Sequence, residues 1–241
     1  MDIVIVGTGN VSVHLAPALQ RAGHEVTVVR SRNLTTLPPA SLYIVAVKDD
    51  ALPQVVTRMR TLTEAPVVHT AGSVSGTLAD GVLYPMQTFS KARAVDFANV
   101  HFFIEAVSPA VMASLRDVAA SVVGPAQVHE LDSEGRKRLH LAAVFACNFV
   151  NHCCTMAEEV LRLAGIPFDV MLPLLDETVA KLHQLAPQQA QTGPAIRNDQ
   201  SVMNAHCQLL ADRPDLQAIY RAMSDNIGEM YDVRDKNKRY D

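Results

Sequence analysis

Two glycines near the start of the chain stand where the backbone could bind a phosphate group. Gly7 and Gly9 follow a β-branched apolar run, and Asn10 and Val11 open the helical segment behind them. Gly7 permits a tight turn, and Gly9, which lacks a Cβ, lets the backbone approach a pyrophosphate closely. The free N–H groups at the start of the helix would then face the anion. The third position of this G-x-G-x-x-G pattern is Ser12, where glycine or alanine is usual, so one position is imperfect.

The residues behind the second apolar run indicate which dinucleotide this turn would bind. A site that prefers NAD usually carries Asp or Glu here, which accepts a hydrogen bond from the ribose 2′-OH. This chain has Arg30, Ser31 and Arg32 instead. Guanidinium and hydroxyl groups could bind a 2′-phosphate through charge-assisted hydrogen bonds. The pattern therefore favours NADP(H) over NAD(H); the alternative is a pair of solvated arginines at a strand end.

Further candidates follow the next predicted strands, because ligands bind beyond the carboxyl ends of parallel strands. Lys48 follows the apolar run 41–47 and could pair with a phosphate or polarise a carbonyl, although a solvated lysine is the simpler interpretation. Ala71 and Gly72 follow the next run, where the nicotinamide end of a cofactor is expected. The segment 84–90 mixes aromatic, amide and hydroxyl groups, so it could line a small-molecule pocket or simply be packed.

The second half of the chain contains a polar stripe on an otherwise apolar helix. At about 100° per residue, His140, Asn148, Asn151 and Thr155 fall within an arc of about 80°. Buried amide and imidazole groups need partners, so the stripe favours a polar cleft over a solvated face. His140 is the candidate for proton transfer or carbonyl orientation, since imidazole titrates near neutrality, and the two asparagines are expected beside it.

Arg197 lies in the polar loop 188–199 of the same half. Its guanidinium could hold a substrate carboxylate through two parallel hydrogen bonds, or it could anchor the neighbouring acid structurally. No HExxH motif or other paired-ligand spacing accompanies the nine histidines, so the sequence predicts no metal site.

Two kinds of organisation position these residues. Strand and helix patterns alternate up to residue 131, which predicts an α/β dinucleotide-binding domain of the Rossmann type with a parallel sheet over 1–131. From there on the patterns are helical only, which predicts an all-helical domain for substrate binding and dimerisation over 132–241. The helices are expected at about 133–164, 169–186, 199–211 and 214–231.

Composition narrows the possible partners and the compartment. The net charge of −4 over 241 residues gives no electrostatic support for binding nucleic acid or an anionic membrane. No run of 18 apolar residues predicts a membrane span, and because the first strand begins at once we expect no signal peptide. The four cysteines form no CxxC pair, which indicates reduced thiols in a cytoplasmic protein.

Four segments together resemble one protein family: 7–11, 84–89, 139–149 and 191–199. It comprises bacterial Rossmann-like proteins whose C-terminal helical domain has no known function. More distantly, the chain is similar to pyrroline-5-carboxylate reductase, the deazaflavin-dependent NADP oxidoreductases and the 6-phosphogluconate dehydrogenase-like superfamily. The resemblance implies a nucleotide-binding first domain, a helical second domain and commonly a homodimer, but no particular substrate.

The leading hypothesis is an NADP(H)-dependent oxidoreductase that acts on a small carboxylated substrate in the cleft between the two domains. A second hypothesis is a non-catalytic NADP(H)-binding sensor or scaffold, because no lysine–asparagine or similar catalytic pair stands out. A third, a binding module for another phosphorylated metabolite, would need only the glycine turn.

Overall fold

A computed structural model describes residues 1–231, so the last ten residues of the predicted helical domain, 232–241, lie outside the described residues. The described chain forms two compact units. The first is Met1–Phe149, and the second begins at Val150.

The first unit is built on a seven-stranded sheet. The strands are β1 (Asp2–Val6), β2 (Glu25–Val29), β3 (Leu42–Val45), β4 (Val67–His69), β5 (Gly81–Met86), β6 (His101–Ala106) and β7 (Val128–Glu130). Their order in the sheet is β2-β1-β3-β4-β5-β6-β7. The strands β1 to β4 run parallel, β5 continues parallel to β4, β6 is antiparallel to β5, and β7 is parallel to β6. Strand order reverses between β1 and β3, which is where doubly wound sheets bind ligands.

Helices cover both faces of this sheet, which explains why its central strands are apolar throughout. Ile3 and Ile44 pack into one buried cluster with side chains of the helices α1 (Asn10–Arg21) and α3 (Pro109–Val123). Val4 and Val45 pack into a second cluster on the other face, with α2 (Leu52–Met59). Strands buried on both faces show continuous apolar runs rather than alternation.

The change from mixed to purely helical structure comes between β7 and α4 (Ser133–Ala143). The compact unit extends further, to Phe149, because α4 packs on the sheet. Arg136 of α4 is fully buried and pairs with Glu105 of β6, and the Ser133 hydroxyl donates to both oxygens of that carboxylate at 2.9 Å. The predicted boundary at 131 thus marks the end of the sheet, and the compact unit ends 18 residues later at 149.

The second unit consists of helices in its described part. The helices are α5 (Val150–Leu163), α6 (Leu172–Leu182), α7 (Pro187–Ala190), α8 (Gln200–Leu209) and α9 (Pro214–Met230). Contacts between α8 and α9 include a hydrogen bond of 2.9 Å between His206 Nδ1 and the Tyr220 hydroxyl, and Gln217 Nε2 donates to the Cys207 carbonyl at 2.7 Å. The prediction of an α/β Rossmann-type sheet followed by an all-helical region is confirmed.

The helical stretch Ser133–Leu163 is long and apolar enough, by length and composition, to cross a membrane, with a mean hydropathy of 1.2 in its most apolar window. The core helix of a soluble protein can have the same length and composition, so one such helix is weak evidence for a membrane span. Its first turns pack on the sheet through Arg136, and its next turns expose Leu141, Phe145 and Phe149. These three apolar side chains are therefore not buried by any described part of the chain.

Candidate active site

The turn between β1 and α1 has the geometry that a pyrophosphate needs. Gly7 has a φ of +126°, its N–H donates to the Val29 carbonyl at 2.8 Å, and a Cβ there would overlap the Ala46 carbonyl. Gly9 is the N-cap of α1, and no side chain caps the first N–H groups of the helix. These groups remain available for an anion, which supports a phosphate-binding role for the turn.

A cavity of about 1340 Å³ opens at this turn, above the carboxyl ends of β1, β2 and β3. That volume exceeds the roughly 300–1,000 Å³ of common small-molecule sites, so a dinucleotide has room. Its wall includes the cations Arg32, Lys48 and Arg58, and none of its lining residues in the described chain is acidic. None of the three cations takes part in an ion pair within residues 1–231. The cavity is therefore suited to a polyanion.

Most of the predicted cofactor residues line this cavity: Gly7, Gly9, Asn10, Val11, Ser31, Arg32 and Lys48. Arg30 is exposed and does not line it. The chain turns after β2, with Asn33 at a φ of +56°, so the turn rather than the strand end faces the cavity. Ala71 and Gly72 also lie outside the wall, whereas Thr70 belongs to it.

The loop behind β4 is organised by a buried histidine. His69 Nδ1 accepts a hydrogen bond from the Ala71 N–H at 3.2 Å, and Nε2 lies 3.2 Å from the Ser75 carbonyl. These partners assign the neutral ring with its proton on Nε2. Burial lowers the pKa of His69, and Arg136 lowers it further, while the bond to the Ser75 carbonyl opposes them. The ring thus shapes the loop in its neutral form.

Tyr84 and His140 meet beside this loop. The Tyr84 hydroxyl lies 3.2 Å from His140 Nδ1, and the two rings are edge to face with centroids 6.1 Å apart. A Cβ on Gly72 would lie 2.8 Å from His140 Nδ1 and 3.0 Å from Tyr84 Cζ, so only glycine fits under the pair without a shift. Burial raises the pKa of Tyr84, and negative charge on Cys147 adds to this while Arg136 opposes it, so the hydroxyl keeps its proton. The Tyr84 hydroxyl is therefore protonated at neutral pH and can act as a proton donor.

The loop 87–90, which follows β5, is hydrogen-bonded to α1. The Asn10 amide donates to the Phe89 carbonyl at 3.0 Å, and His14 Nε2 lies 2.8 Å from the Ser90 carbonyl. The His14 ring also stacks on Phe89, with centroids 5.6 Å apart. Sequence reasoning missed His14, although Asn10 and His14 stand four residues apart and so share one face of a helix. The loop that follows Tyr84 is thus anchored to the first helix of the cofactor site.

The polar stripe predicted on the long helix does not keep its spacing. Residues Val144–Phe149 form a π-helical segment, whose i→i+5 hydrogen bonds widen the turn. Positions calculated at 100° per residue from His140 therefore do not hold for Asn148 or beyond. Asn148 is exposed within that segment, and Asn151 belongs to the second unit; neither side chain makes a hydrogen bond within the described residues. Of the predicted stripe, the structure joins only His140 to Tyr84.

Arg197, the predicted carboxylate ligand, is exposed in the second unit, in a loop where Gly193 and Asn198 have positive φ angles. Its guanidinium has no hydrogen-bond or ion-pair partner among residues 1–231. In that same range, no cluster of three or more His, Cys, Asp or Glu residues could hold a metal ion.

Known structures share this architecture. The Bacteroides fragilis protein BF3122, described as a candidate NADP oxidoreductase, is 43% identical and superposes with a TM-score of 0.86 over 95% of this chain and 98% of its own. An imine reductase from Myxococcus stipitatus in complex with NADP⁺ gives 18% identity and a TM-score of 0.64, over 100% of this chain and 95% of its own. Plasmodium falciparum pyrroline carboxylate reductase with NADP bound gives 11% and 0.56, over 96% and 98%. The last two likenesses show the fold alone.

No curated protein matches the chain in sequence. The model of a family described as a domain of unknown function, DUF2520, matches residues 100–227. This range includes β6, α4 and most of the helical unit, and it contains two of the four segments that carry the resemblance seen in the sequence, 139–149 and 191–199. Together with the 43% identity over nearly the whole length of BF3122, the match confirms that resemblance: the chain belongs to the DUF2520 family.

Proposed function

We propose that the protein is an NADP(H)-dependent oxidoreductase that reduces a C=N or C=O bond in a small substrate. The observation that carries this proposal is the cavity at the end of β1 and β3, which has three unpaired cations and no acidic residue in its described wall. A dinucleotide with an additional 2′-phosphate is the ligand that such a wall suits. The 43% identical relative described as a candidate NADP oxidoreductase supports the same cofactor.

Two groups of residues would bind the two phosphate-containing parts of the cofactor. The turn at Gly7 and Gly9 and the open N-terminus of α1 would hold the pyrophosphate. Ser31 and Arg32, which line the cavity on the turn after β2, would hold the 2′-phosphate. When bound, NADPH supplies a hydride.

Reduction of an imine or carbonyl also requires a proton, and Tyr84 and His140 can provide it. Thr70 lines the cavity, and Gly72, two residues later, packs against both rings, so the pair lies beside that part of the wall. The Tyr84 hydroxyl would donate its proton to the substrate nitrogen or oxygen, and His140 Nδ1 would return a proton to the hydroxyl. One hydride and one proton convert C=N to CH–NH, which balances the reaction.

The substrate class is a small imine, with carbonyl compounds as the next candidates. Imine reductase and pyrroline carboxylate reductase are named for imine substrates, and we extend that class to this chain as part of the proposal. A carboxylate on the substrate would suit Arg197, which is exposed and has no partner within the described residues. The place of the substrate between the two domains and the cytoplasmic location stay predictions.

The experiment that tests this function follows NADPH consumption by the purified full-length protein with cyclic imines, keto acids and aldehydes. We expect oxidation of NADPH with at least one imine, and slower or no oxidation with NADH. Binding of NADPH without turnover on any member of these classes would support the alternative, a non-catalytic sensor or scaffold. Failure to bind either nucleotide would contradict both.

We also infer that a second copy of the chain covers the helices from Leu141 onwards. Within residues 1–231, all but four of the exposed large hydrophobic side chains lie at or after Leu141, the exceptions being Met1, Val13, Val28 and Val107. The described part of the second unit, in contrast, buries only Ala195, Cys207 and Leu216 among its hydrophobic side chains. A helical unit with so little core of its own needs an apolar partner, and a homodimer supplies one.

The oligomeric state tests this inference through light scattering coupled to size exclusion. Phe145, on the π-helical segment, and Leu174, on α6, are 62% and 61% exposed, and glutamate at either position should shift a dimer towards monomer. Val107, which is 60% exposed in the first unit, provides the matched control, because glutamate there should leave the mass unchanged. A wild-type protein that is monomeric at micromolar concentration would overturn the inference.

A further inference from the structure

Arg58 lies on α2 and belongs to the cavity wall, although no dinucleotide motif includes it. Its Nε donates to the Leu34 carbonyl at 2.8 Å, and its Nη1 donates to the Thr61 hydroxyl at 3.2 Å. A guanidinium has five N–H donors, and these bonds occupy two of them. The other donors have no protein partner within residues 1–231, so they are available to a ligand.

The charge of Arg58 is also uncompensated. It forms no ion pair with any described residue, whereas Arg60, two positions later, pairs with Asp80 at 2.7 Å and does not line the cavity. An unpaired guanidinium on the wall of a cavity without acidic residues is positioned for an anionic group.

The bond from Arg58 to Leu34 connects α2 to the turn that presents Ser31 and Arg32. Leu34 is buried, and Asn33 beside it has a φ of +56°, so the main chain is held in a defined conformation there. Arg58 therefore reaches the same part of the cavity as Ser31 and Arg32, but from a different element.

We propose that Arg58 determines cofactor specificity by binding the adenosine 2′-phosphate together with Arg32. This inference rests on the proposed NADP(H) function. A planar guanidinium can donate two parallel hydrogen bonds to a phosphate, and one fixed through Nε to the main chain is already oriented for it. The competing role for such a group is stacking on the adenine ring, which both NADPH and NADH carry.

Calorimetric titration of the full-length protein with adenosine 2′,5′-bisphosphate and with adenosine 5′-monophosphate tests the assignment without any turnover. In Arg58→Gln, the affinity for the bisphosphate should fall by about 10-fold or more, the effect of losing hydrogen bonds to a charged group. The affinity for the monophosphate should change by less than about twofold. An equal loss for both ligands would indicate adenine stacking and overturn the proposal, as would no loss for either.

Loss of the bond to Leu34 could also act indirectly, by displacing Arg32. The same substitution in an Arg32→Ala background separates the two causes. If Arg58 binds the phosphate directly, Arg58→Gln should lower the affinity for the bisphosphate further in that background. No further loss of affinity would contradict direct binding. Arg58→Lys keeps the charge but lacks the planar guanidinium, so its affinity for the bisphosphate should lie between those of the wild type and Arg58→Gln. It is also the variant to use if Arg58→Gln does not fold.

Arg60→Gln is the matched control, because it removes the same charge from the end of the same helix outside the cavity wall. It should change the bisphosphate affinity by less than about twofold; a loss as large as that of Arg58→Gln would mean that net charge alone matters and would overturn the proposal. If the wild-type protein binds neither NADPH nor the bisphosphate, the proposed function itself fails. If it binds both but Arg58→Gln behaves like wild type, only the role of Arg58 fails.

Discussion

The Tyr84 hydroxyl lies 3.2 Å from Nδ1 of His140, although 56 residues separate the two in sequence. Three elements produce this contact: β5 carries the tyrosine, α4 carries the histidine, and the loop behind β4 leaves space for both at Gly72. The contact gives the first unit a hydroxyl proton donor with an imidazole partner, next to the loop behind β4.

Replacing Tyr84 with phenylalanine should lower kcat by about 100-fold, the usual contribution of a general acid, and leave the affinity for NADPH nearly unchanged. Phenylalanine keeps the aromatic ring in place but lacks the hydroxyl group that would donate the proton. Tyr220→Phe is the matched control, since its hydroxyl also bonds to a histidine, His206, at 2.9 Å in the second unit. Steady-state rates and NADPH titration measure both. An unchanged kcat in Tyr84→Phe would remove the hydroxyl from the reaction.

Arg32→Ala should lower the affinity for NADPH by about 10-fold and the affinity for NADH by much less, because only NADPH carries the 2′-phosphate that Arg32 would bind. Arg30→Ala should have little effect, since Arg30 does not line the cavity. Fluorescence titration with both nucleotides makes the comparison. Equal losses in the two variants would point to a general effect of positive charge instead of a specific contact.

The glycine turn, the absence of an acidic residue directly after β2 and the alternation of strands and helices follow from the sequence, because local patterns determine them. The Tyr84–His140 pair and Arg58 do not, because they depend on the register of α4 on the sheet and on the packing of α2 against a turn. The π-helical segment does not follow from the sequence either, because residues 144–149 have no composition that separates an i→i+5 from an i→i+4 helix. The positions calculated for the asparagines from a regular α-helix are therefore wrong.

His69 should make the protein less stable as the pH falls below neutrality. Its pKa is lowered in the folded state, mainly by burial, whereas in the unfolded chain it has the ordinary value of about 6.5. The contribution of His69 to the free energy of unfolding is fully present above that pH. Below that pH the contribution decreases, because the unfolded chain takes up a proton that the folded ring resists. Urea unfolding at about pH 7.5 and 5.5 should show a smaller decrease for His69→Gln than for wild type. Equal decreases would contradict this.

Ser12→Ala should raise the free energy of unfolding by about 1 kcal/mol, since the Ser12 hydroxyl is buried and has no hydrogen-bond partner in the described structure. Alanine is also one of the usual residues at this third position of the motif. Ser114→Ala on α3 provides the control, because it changes helix propensity at a site that is not fully buried. A gain in the free energy of unfolding no larger than that of Ser114→Ala would mean that the buried Ser12 hydroxyl does not destabilise the folded protein.

Titration of the wild-type protein with NADPH and with NADH under identical conditions tests the central claim most directly. A cavity wall with Arg32, Lys48 and Arg58, and with no acidic residue from the described part of the chain, predicts binding of NADPH at micromolar concentration, with an affinity at least about 10-fold above that for NADH. Equal or tighter binding of NADH, or binding of neither nucleotide, would contradict the account.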